Sequence, residues 1–341
     1  MRIAEISTLA RPVPPDGEGS IESLVAALAE GLARRGHEVT LFATADSRCP
    51  VPLRSPVPVS YSVDSEKWDW QVYEAHQARE AFAAFRDFDV IHCHAYHFGM
   101  LFCDFVPVPS LHSVHIEPGP DYLFLARRTR NRHLHFASRH QARDFADLTG
   151  VHVVPHGVDM GQFRAPKPGE RGDYLAFLGR FIPDKGPLEA IEIAKRAGLP
   201  LKLAAPRNAY YDHAIQSHVD GRNIQYVGEL RGSEKSEFLS RARALVYPVR
   251  RGEPFGLVLV EAMASGLPVL ALDEGAVPEI VAPGETGWIG KSVEDLVEAA
   301  GRLDGFDPAR IRAIAESQWS GERMIDNMEK LLLQIVEEGR P

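Results

Sequence analysis

Short apolar runs alternate with amphipathic stretches along the chain, and that alternation sets the fold class. Arg2–Ser7 reads as a buried parallel strand. The Pro/Gly-rich loop Arg11–Ser20 follows, and Ile21, Leu24, Val25, Leu28 and Leu32 then recur at helical spacing. Arg34-Arg35-Gly36-His37 closes the helix with basic residues and a glycine, and Glu38–Ala43 is the next strand, giving a right-handed βαβ unit. Residues 46–66 are proline-rich and irregular, 71–86 suit a helix, and Asp89-Val90-Ile91-His92-Cys93 is a further buried strand.

After His156-Gly157-Val158-Asp159 the stretch Arg164–Gly172, centred on Ala165-Pro166-Lys167-Pro168-Gly169, reads as a linker. A second series follows. Its expected strands are Tyr174–Leu178, Leu201–Ala205, Ile224–Val227, Ala244–Val249 and Pro268–Leu272, and its helices Pro187–Ala197, Ser233–Ala242 and Gly256–Ala264. From Ser317 to Glu337, Met324, Ile325, Met328, Leu331, Leu332 and Ile335 mark an amphipathic helix that needs a partner surface. At roughly 150 residues per domain, 341 residues allow two domains or one α/β barrel. A linker near the midpoint would interrupt a barrel's repeating units, so two doubly wound α/β domains fit better, 1–160 and 161–317, and either could supply the surface for the final helix 318–341.

Composition narrows the function. Hydrophobic residues at 45% and charged residues at 25% exclude a disordered or coiled-coil chain. Lys+Arg 38 against Asp+Glu 47 gives −9, which argues against nucleic acid as a partner. Cys49, Cys93 and Cys103 lack metal-type spacing and read as reduced thiols of a cytoplasmic protein. Glu5 interrupts the first apolar run, so no secretory leader is expected, and no run reaches the roughly 18 apolar residues of a membrane span.

Three groups of residues can carry chemistry. In Gly17-Glu18-Gly19-Ser20-Ile21-Glu22 the third glycine of a dinucleotide fingerprint is replaced by Glu22, which disfavours an NAD site but leaves a glycine turn before a helix N-terminus. Arg180 and Lys185, in Arg180-Phe181-Ile182-Pro183-Asp184-Lys185-Gly186, fall at the carboxyl end of a strand. A forked guanidinium and a compact ammonium there suit a departing diphosphate, and a solvated basic loop is the plain alternative. Glu253 and Glu261 would lie about 12 Å apart if the segment were helical throughout. That is too far for an acid/base pair on one bond and suits two separate hydroxyl contacts.

Taken in order, Pro14-Pro15-Asp16-Gly17-Glu18-Gly19-Ser20-Ile21-Glu22, Arg35-Gly36-His37-Glu38-Val39, Asp89-Val90-Ile91-His92, His156-Gly157-Val158-Asp159, Gly179-Arg180 with Lys185-Gly186, Glu253-Pro254-Phe255-Gly256-Leu257 with Glu261-Ala262, and Pro278-Glu279 closely resemble retaining glycosyltransferases of family 4. The resemblance implies a GT-B fold, two Rossmann-like domains facing a cleft, with the last helix packing back on the N-terminal domain. It implies a UDP- or GDP-linked sugar donor, a hexose-type sugar, a small hydroxyl acceptor, retention of configuration, and no metal or other cofactor. By motif, Arg180 and Lys185 look like the diphosphate clamp, Glu253 and the backbone of Phe255, Gly256 and Leu257 like the donor-sugar contacts, and Glu261 like the acid on the ribose hydroxyls. Gly19 and Ser20 would lie near donor phosphate or acceptor, and His94 would reach the transferred sugar.

Other readings stay open. His94 is alternatively a polar strand end, or part of a zinc cluster with His92 and His97, although only His92 and His94 share a strand face and a third ligand is undefined. Asp87-Phe88-Asp89 imitates an Asp-x-Asp metal motif but precedes a buried strand, where a cap or turn is expected. Ala126–Phe136, with Arg127, Arg128, Arg130 and Arg132, reads as a helix with a solvated basic face or as a site for an anionic acceptor or membrane surface. Ser20 replaces the second glycine of the family's first loop, Arg250-Arg251-Gly252 stands where an aromatic is usual, and Gly275-Ala276 replaces a glycine pair. A nucleotide-sugar epimerase or isomerase, or a non-catalytic nucleotide-sugar-binding protein, is the alternative on the same scaffold.

Overall fold

A computed structural model describes residues 1–17, 19–62, 69–167 and 169–339. The chain forms two units, one of Met1–Pro155 with Met324–Pro341 and one of His156–Arg323. In the first, strands β1 (Arg2–Ile6), β2 (Glu38–Phe42), β3 (Leu53–Arg54), β4 (Val90–Cys93), β5 (Ser110–Val114), β6 (His133–Phe136) and β7 (Val151–Val153) form a parallel sheet in the order β3-β2-β1-β4-β5-β6-β7. Its helices are α1 (Ser20–Arg34), α2 (Trp70–Ala83), α3 (Pro120–Ala126) and α4 (Arg139–Ala142). The order reverses at β1/β4, and in open α/β sheets ligands bind beyond the strand ends at such a switch point.

In the second unit, β8 (Leu175–Leu178), β9 (Leu201–Ala204), β10 (Ile224–Gly228), β11 (Ala244–Tyr247), β12 (Val269–Leu272) and β13 (Gly287–Gly290) follow the order β10-β9-β8-β11-β12-β13, again parallel. Its helices are α5 (Pro187–Ala197), α6 (Gly232–Arg241), α7 (Leu257–Ala264), α8 (Val277–Ile280), α9 (Val293–Ala300) and α10 (Pro308–Trp319), and α11 (Gly321–Glu338) follows. The switch point lies between β8 and β11, whose carboxyl ends lead to Arg180 and to the Glu253 loop.

Helix α1 ends as its sequence dictates. Gly36 takes φ +88, its N–H reaches the Ala33 carbonyl at 3.0 Å, and the His37 N–H reaches Leu32 at 3.2 Å, a Schellman closure. The partner of the C-terminal helix is this same helix. At Gly31 an added Cβ would lie 2.4 Å from Ile325 Cδ1, so the missing side chain admits α11, and burying Ile325 contributes about 1.5–3 kcal/mol. Arg35 pairs with Asp326 at 2.6 Å and Glu329 at 3.1 Å, and His37 Nε2 lies 2.7 Å from Glu329.

These bonds make the α11 contact pH-dependent. The hydrogen bond with His37, opposed by burial and reinforced by Arg35, holds Glu329 below the usual carboxylate range. A depressed carboxyl binds fewer protons folded than unfolded, so its stabilisation is complete above the ordinary value of 4.5 and disappears as pH falls through the folded-state value. Glu329→Gln is expected to lower the unfolding temperature near neutrality and to flatten its acid-side decline, which a series of melts against pH reads directly.

Two boundaries differ from the sequence expectation. The division falls at Pro155/His156, upstream of Arg164–Gly172, and that stretch is tied into the second unit: Arg164 pairs with Glu170 at 2.6 Å and also with Glu237, and the Lys167 N–H bonds Glu170 at 3.0 Å. Pro168 lies outside the described residues. The expected helix Ser317–Glu337 is two helices, because Ser320 is extended (φ −69, ψ 150) and bridges Val158. The His156-Gly157-Val158-Asp159 motif builds this junction. A Cβ on Gly157 would lie 2.3 Å from the Ser320 carbonyl oxygen, and Gly321 N donates to Val158 O at 2.8 Å.

Candidate active site

Beyond β8 the chain passes through Gly179 and Arg180 into a 3₁₀ turn, Pro183–Lys185, which delivers Lys185 to the N-terminus of α5. The Arg180 guanidinium is exposed and makes no ion pair among the described residues. Lys185 Nζ pairs with Glu253 and lies 3.2 Å from the Tyr247 hydroxyl at the end of β11. That hydroxyl in turn donates to Glu253. Burial and the nearby Glu253 carboxylate push the Tyr247 phenol well above its ordinary value, so it remains a donor. A buried carboxylate is thus held by one ammonium and one phenol, the two partners burial requires.

Backbone geometry aims this cluster. Gly256 (φ +93) turns the loop into α7, so the amides of Phe255, Gly256 and Leu257 come at the helix start, where the first N–H groups lack carbonyls within the helix. Gly275 (φ +60) lies under Glu253: a Cβ there would meet the Glu253 backbone N and O at 2.5 Å, and Ala276 N donates to Glu253 O at 2.9 Å. The ring of Phe255 is buried edge-on to His156, 5.3 Å between centroids. Glu261, inside α7, bonds Lys235 of α6 at 2.6 Å. Because Glu253 precedes the helix, the helical-rise estimate of the Glu253–Glu261 separation does not apply.

In the first unit, Gly19 (φ +150) caps α1, and a Cβ there would lie 2.8 Å from Pro15 Cβ and 3.0 Å from Glu22 Oε2. Ser20 is exposed as the first residue of α1, and Glu18 lies outside the described residues. Glu22 is buried and accepts from Thr8 Oγ1 at 2.5 Å, and burial raises its pKa. His94 follows β4 and is 1% exposed. Its Nε2 lies 2.7 Å from Glu5 and its Nδ1 2.8 Å from His115 Nε2.

Two family models match the chain in succession, Glycosyltransferase Family 4 over residues 21–162 and Glycosyl transferases group 1 over residues 161–303. The chain belongs to glycosyltransferase family 4. It is 26% identical over 336 residues to the phosphatidyl-myo-inositol mannosyltransferase of Mycobacterium tuberculosis, covering 90% of this chain and 86% of that protein. It is 29% identical over 379 residues to the D-inositol 3-phosphate glycosyltransferase of Nocardia farcinica, covering 91% and 83%. The crystal structure of AviGT4, a glycosyltransferase involved in Avilamycin A biosynthesis, superposes with a TM-score of 0.74 at 25% identity over 99% of this chain and 98% of that one. Both units are the Rossmann-like domains of a GT-B glycosyltransferase.

In this family 4 glycosyltransferase, the residues missed by motif are the partners of the motif residues. Tyr247 was legible only as the polar end of an apolar strand, and Lys235 carried no signal. Glu5 stood out as a charge inside a buried run. It supplies the third member that the histidine cluster lacked: Glu5, His92 and His94 bring ligand-type atoms within 4.8 Å of one another, and among the described residues no other group of three could hold a metal ion. His97 instead packs against Phe98, 4.4 Å between ring centroids.

The Asp87-Phe88-Asp89 motif is structural: Asp89 accepts from Arg2 N at 2.8 Å and pairs with its guanidinium at 2.9 Å, while Asp87 pairs with Arg54 at 2.8 Å. Ala126–Phe136 is not a basic helix. Helix α3 ends at Ala126 and β6 begins at His133. Arg127 pairs with Asp147 at 3.0 Å, and buried Arg132 donates to the Ala126 and Thr149 carbonyls at 2.7 and 2.9 Å. Among the described residues no helix is long and apolar enough to cross a membrane.

Proposed function

We propose that this protein is a retaining, metal-independent hexosyltransferase that takes its sugar from a UDP- or GDP-linked donor and passes it to a small hydroxyl acceptor. The observation that carries the reading is the Lys185–Glu253–Tyr247 cluster at the sheet's carboxyl edge, beside the start of α7 and near Arg180, which makes no ion pair among the described residues. A diphosphate carries more negative charge than one carboxylate and draws Lys185 towards itself. Glu253, its Oε2 still held by Tyr247, then accepts from a sugar hydroxyl. Glu261 exchanges Lys235 for the ribose hydroxyls in the same way.

In the transfer step the bond from the anomeric carbon to the phosphate oxygen breaks and a bond to the acceptor oxygen forms. Charge grows on the leaving diphosphate, where Arg180, Lys185 and the amides of Phe255–Leu257 stabilise it. The acceptor proton moves to the departing phosphate oxygen, on the face from which the leaving group departs, so configuration is retained without a protein nucleophile. Two cations on the diphosphate do the neutralisation that a divalent ion would otherwise supply. Gly19 and Ser20 would take the donor phosphate or acceptor, and His94 a sugar hydroxyl.

The test is turnover in EDTA with UDP- and GDP-hexoses and an acceptor panel that includes D-inositol 3-phosphate, the substrate named for one relative. Release of nucleoside diphosphate matched by an axial or equatorial glycoside of the donor's own configuration is expected. Conversion of the donor to another nucleotide sugar would make it an epimerase.

A further inference from the structure

Beyond the switch point of the first sheet, three aromatic rings gather around Trp70, the first residue of α2 and 37% exposed. Tyr96 meets it edge-on at 5.6 Å between centroids, Phe98 edge-on at 6.0 Å, and Tyr61 at a tilt at 6.3 Å. Tyr61 and Tyr96 are also partly exposed. Tyr96, two residues after His94, is held at φ +49, the one non-glycine residue with positive φ among the described residues. A bulky side chain keeps that backbone only where its surroundings impose it, and such positions gather at ligand sites.

Polar groups back these rings. Glu74 follows Trp70 by one turn, on the same face of α2. It is fully buried, its Oε1 accepts from Leu9 N at 2.8 Å, and its Oε2 has no hydrogen-bond partner among the described residues. An orphaned buried oxygen is met from outside the chain, by water or by a ligand hydroxyl. Burial, opposed by the Leu9 bond and reinforced by Glu22, pushes the Glu74 carboxyl up to about 8. The phenols of Tyr61 and Tyr96 bond one another; burial above all, and the neighbouring Glu74 and Glu22 with it, raises both, so they remain donors.

A ligand matching this surface has an apolar face for the rings and hydroxyls for the phenols. Aromatic faces carry partial negative charge and attract the polarised C–H groups of a sugar or cyclitol. A hydrocarbon tail would leave the phenols unmatched. A phosphate calls for clustered or forked cations, whereas here two carboxyls stand behind the rings. Among the described residues neither Glu22 nor Glu74 makes an ion pair, and the cation acting on Glu22 is Arg11.

We infer that the acceptor is a neutral cyclic polyol, a sugar or cyclitol without a phosphate, whose ring packs on Trp70 and Tyr96 and whose hydroxyls bond the Tyr61 and Tyr96 phenols. This rests on the reading of the protein as a transferase to a small hydroxyl acceptor, and it narrows that class: a phosphate, such as that of D-inositol 3-phosphate, is the group this surface does not accommodate.

The full chain without donor gives the first test, in saturation-transfer difference spectra with myo-inositol, methyl glucosides and methyl mannosides. Saturation of the protein is expected to reach the protons of at least one of these rings, and that ring should bind about tenfold more tightly than its phosphate monoester. Trp70→Ala should abolish the signal and raise the acceptor KM in sugar transfer about tenfold, with a smaller change in donor KM; Trp70→Phe, which keeps a ring face, should restore most of both. Silence from every neutral ring, tighter binding of the phosphate monoester, or an unaltered signal in Trp70→Ala would overturn the inference. So would equal transfer to glycerol, or preferred transfer to glucosamine that collapses in Glu74→Gln, which would make the ligand a cation. Nucleoside diphosphate release with no glycoside of any neutral ring overturns the inference and spares the donor reading. No release from any donor overturns the donor reading instead, and the binding spectra still decide the ring site.

Discussion

Lys185→Met is expected to lower kcat for sugar transfer about 10²–10³-fold, the usual loss when one donor to a developing anion is removed. Methionine keeps much of the length and apolar stem of lysine but cannot meet the charge that builds on a leaving diphosphate. The substitution also leaves the buried Glu253 carboxylate with the hydrogen bond from the neutral Tyr247 but without its Lys185 counter-charge, and uncompensated buried charge is destabilising. Two effects are therefore mixed in the single variant. Lys185→Met with Glu253→Gln separates them: the neutral pair regains the lost unfolding temperature yet stays inactive. Full activity in Lys185→Met, measured by nucleoside diphosphate release, would remove the diphosphate clamp from the account.

Gly186→Ala is expected to unfold far more easily than Gly198→Ala, although both glycines sit at φ +68 and flank the same helix, α5. At Gly198 nothing lies within 4 Å of the added Cβ, so the cost is the left-handed backbone alone, about 1–2 kcal/mol. At Gly186 the Cβ would lie 2.2 Å from the Pro248 carbonyl oxygen, a backbone atom that moves only with the loop leading to Glu253. Overpacking adds about 1–3 kcal/mol, so the total is about 2–5 kcal/mol and the unfolding temperature should fall by roughly 4–20 °C. Since Lys185 is the preceding residue, transfer should fall with it. Equal melting temperatures for the two variants would mean that the close approach of Gly186 to Pro248 does not hold the turn.

As far as β12 the second unit was legible almost element by element because its strands are short apolar runs between glycine-punctuated helices; Pro187–Ala197 is a helix over those very residues, whereas α8, β13 and most of α10 went unread. The first unit was legible only to β4. Strands β5, β6 and β7 place His112, Ser113, His133, His135 and His152 where apolar residues are expected, and side-chain bonds such as Ser113–His135 offset that polarity. No hydropathy pattern shows such a bond. Helix α9 was missed as well, though its Ser292–Asp295 capping box is a readable start signal. Motif spacing singled out Arg180, Lys185, Glu253 and Glu261, while Tyr247, bonded to Lys185 and Glu253, and Lys235, bonded to Glu261, come from other elements and are joined to them only by the fold.

The central claim is that the second unit activates a nucleoside-diphosphate sugar without a metal. Its most direct test is the EDTA-treated enzyme with a UDP- or GDP-hexose and acceptor, following diphosphate release and the product's anomeric configuration together. The account predicts stoichiometric release, a glycoside of retained configuration and no loss of rate on chelation. An inverted product, or a rate that vanishes with EDTA and returns with a divalent cation, would contradict it.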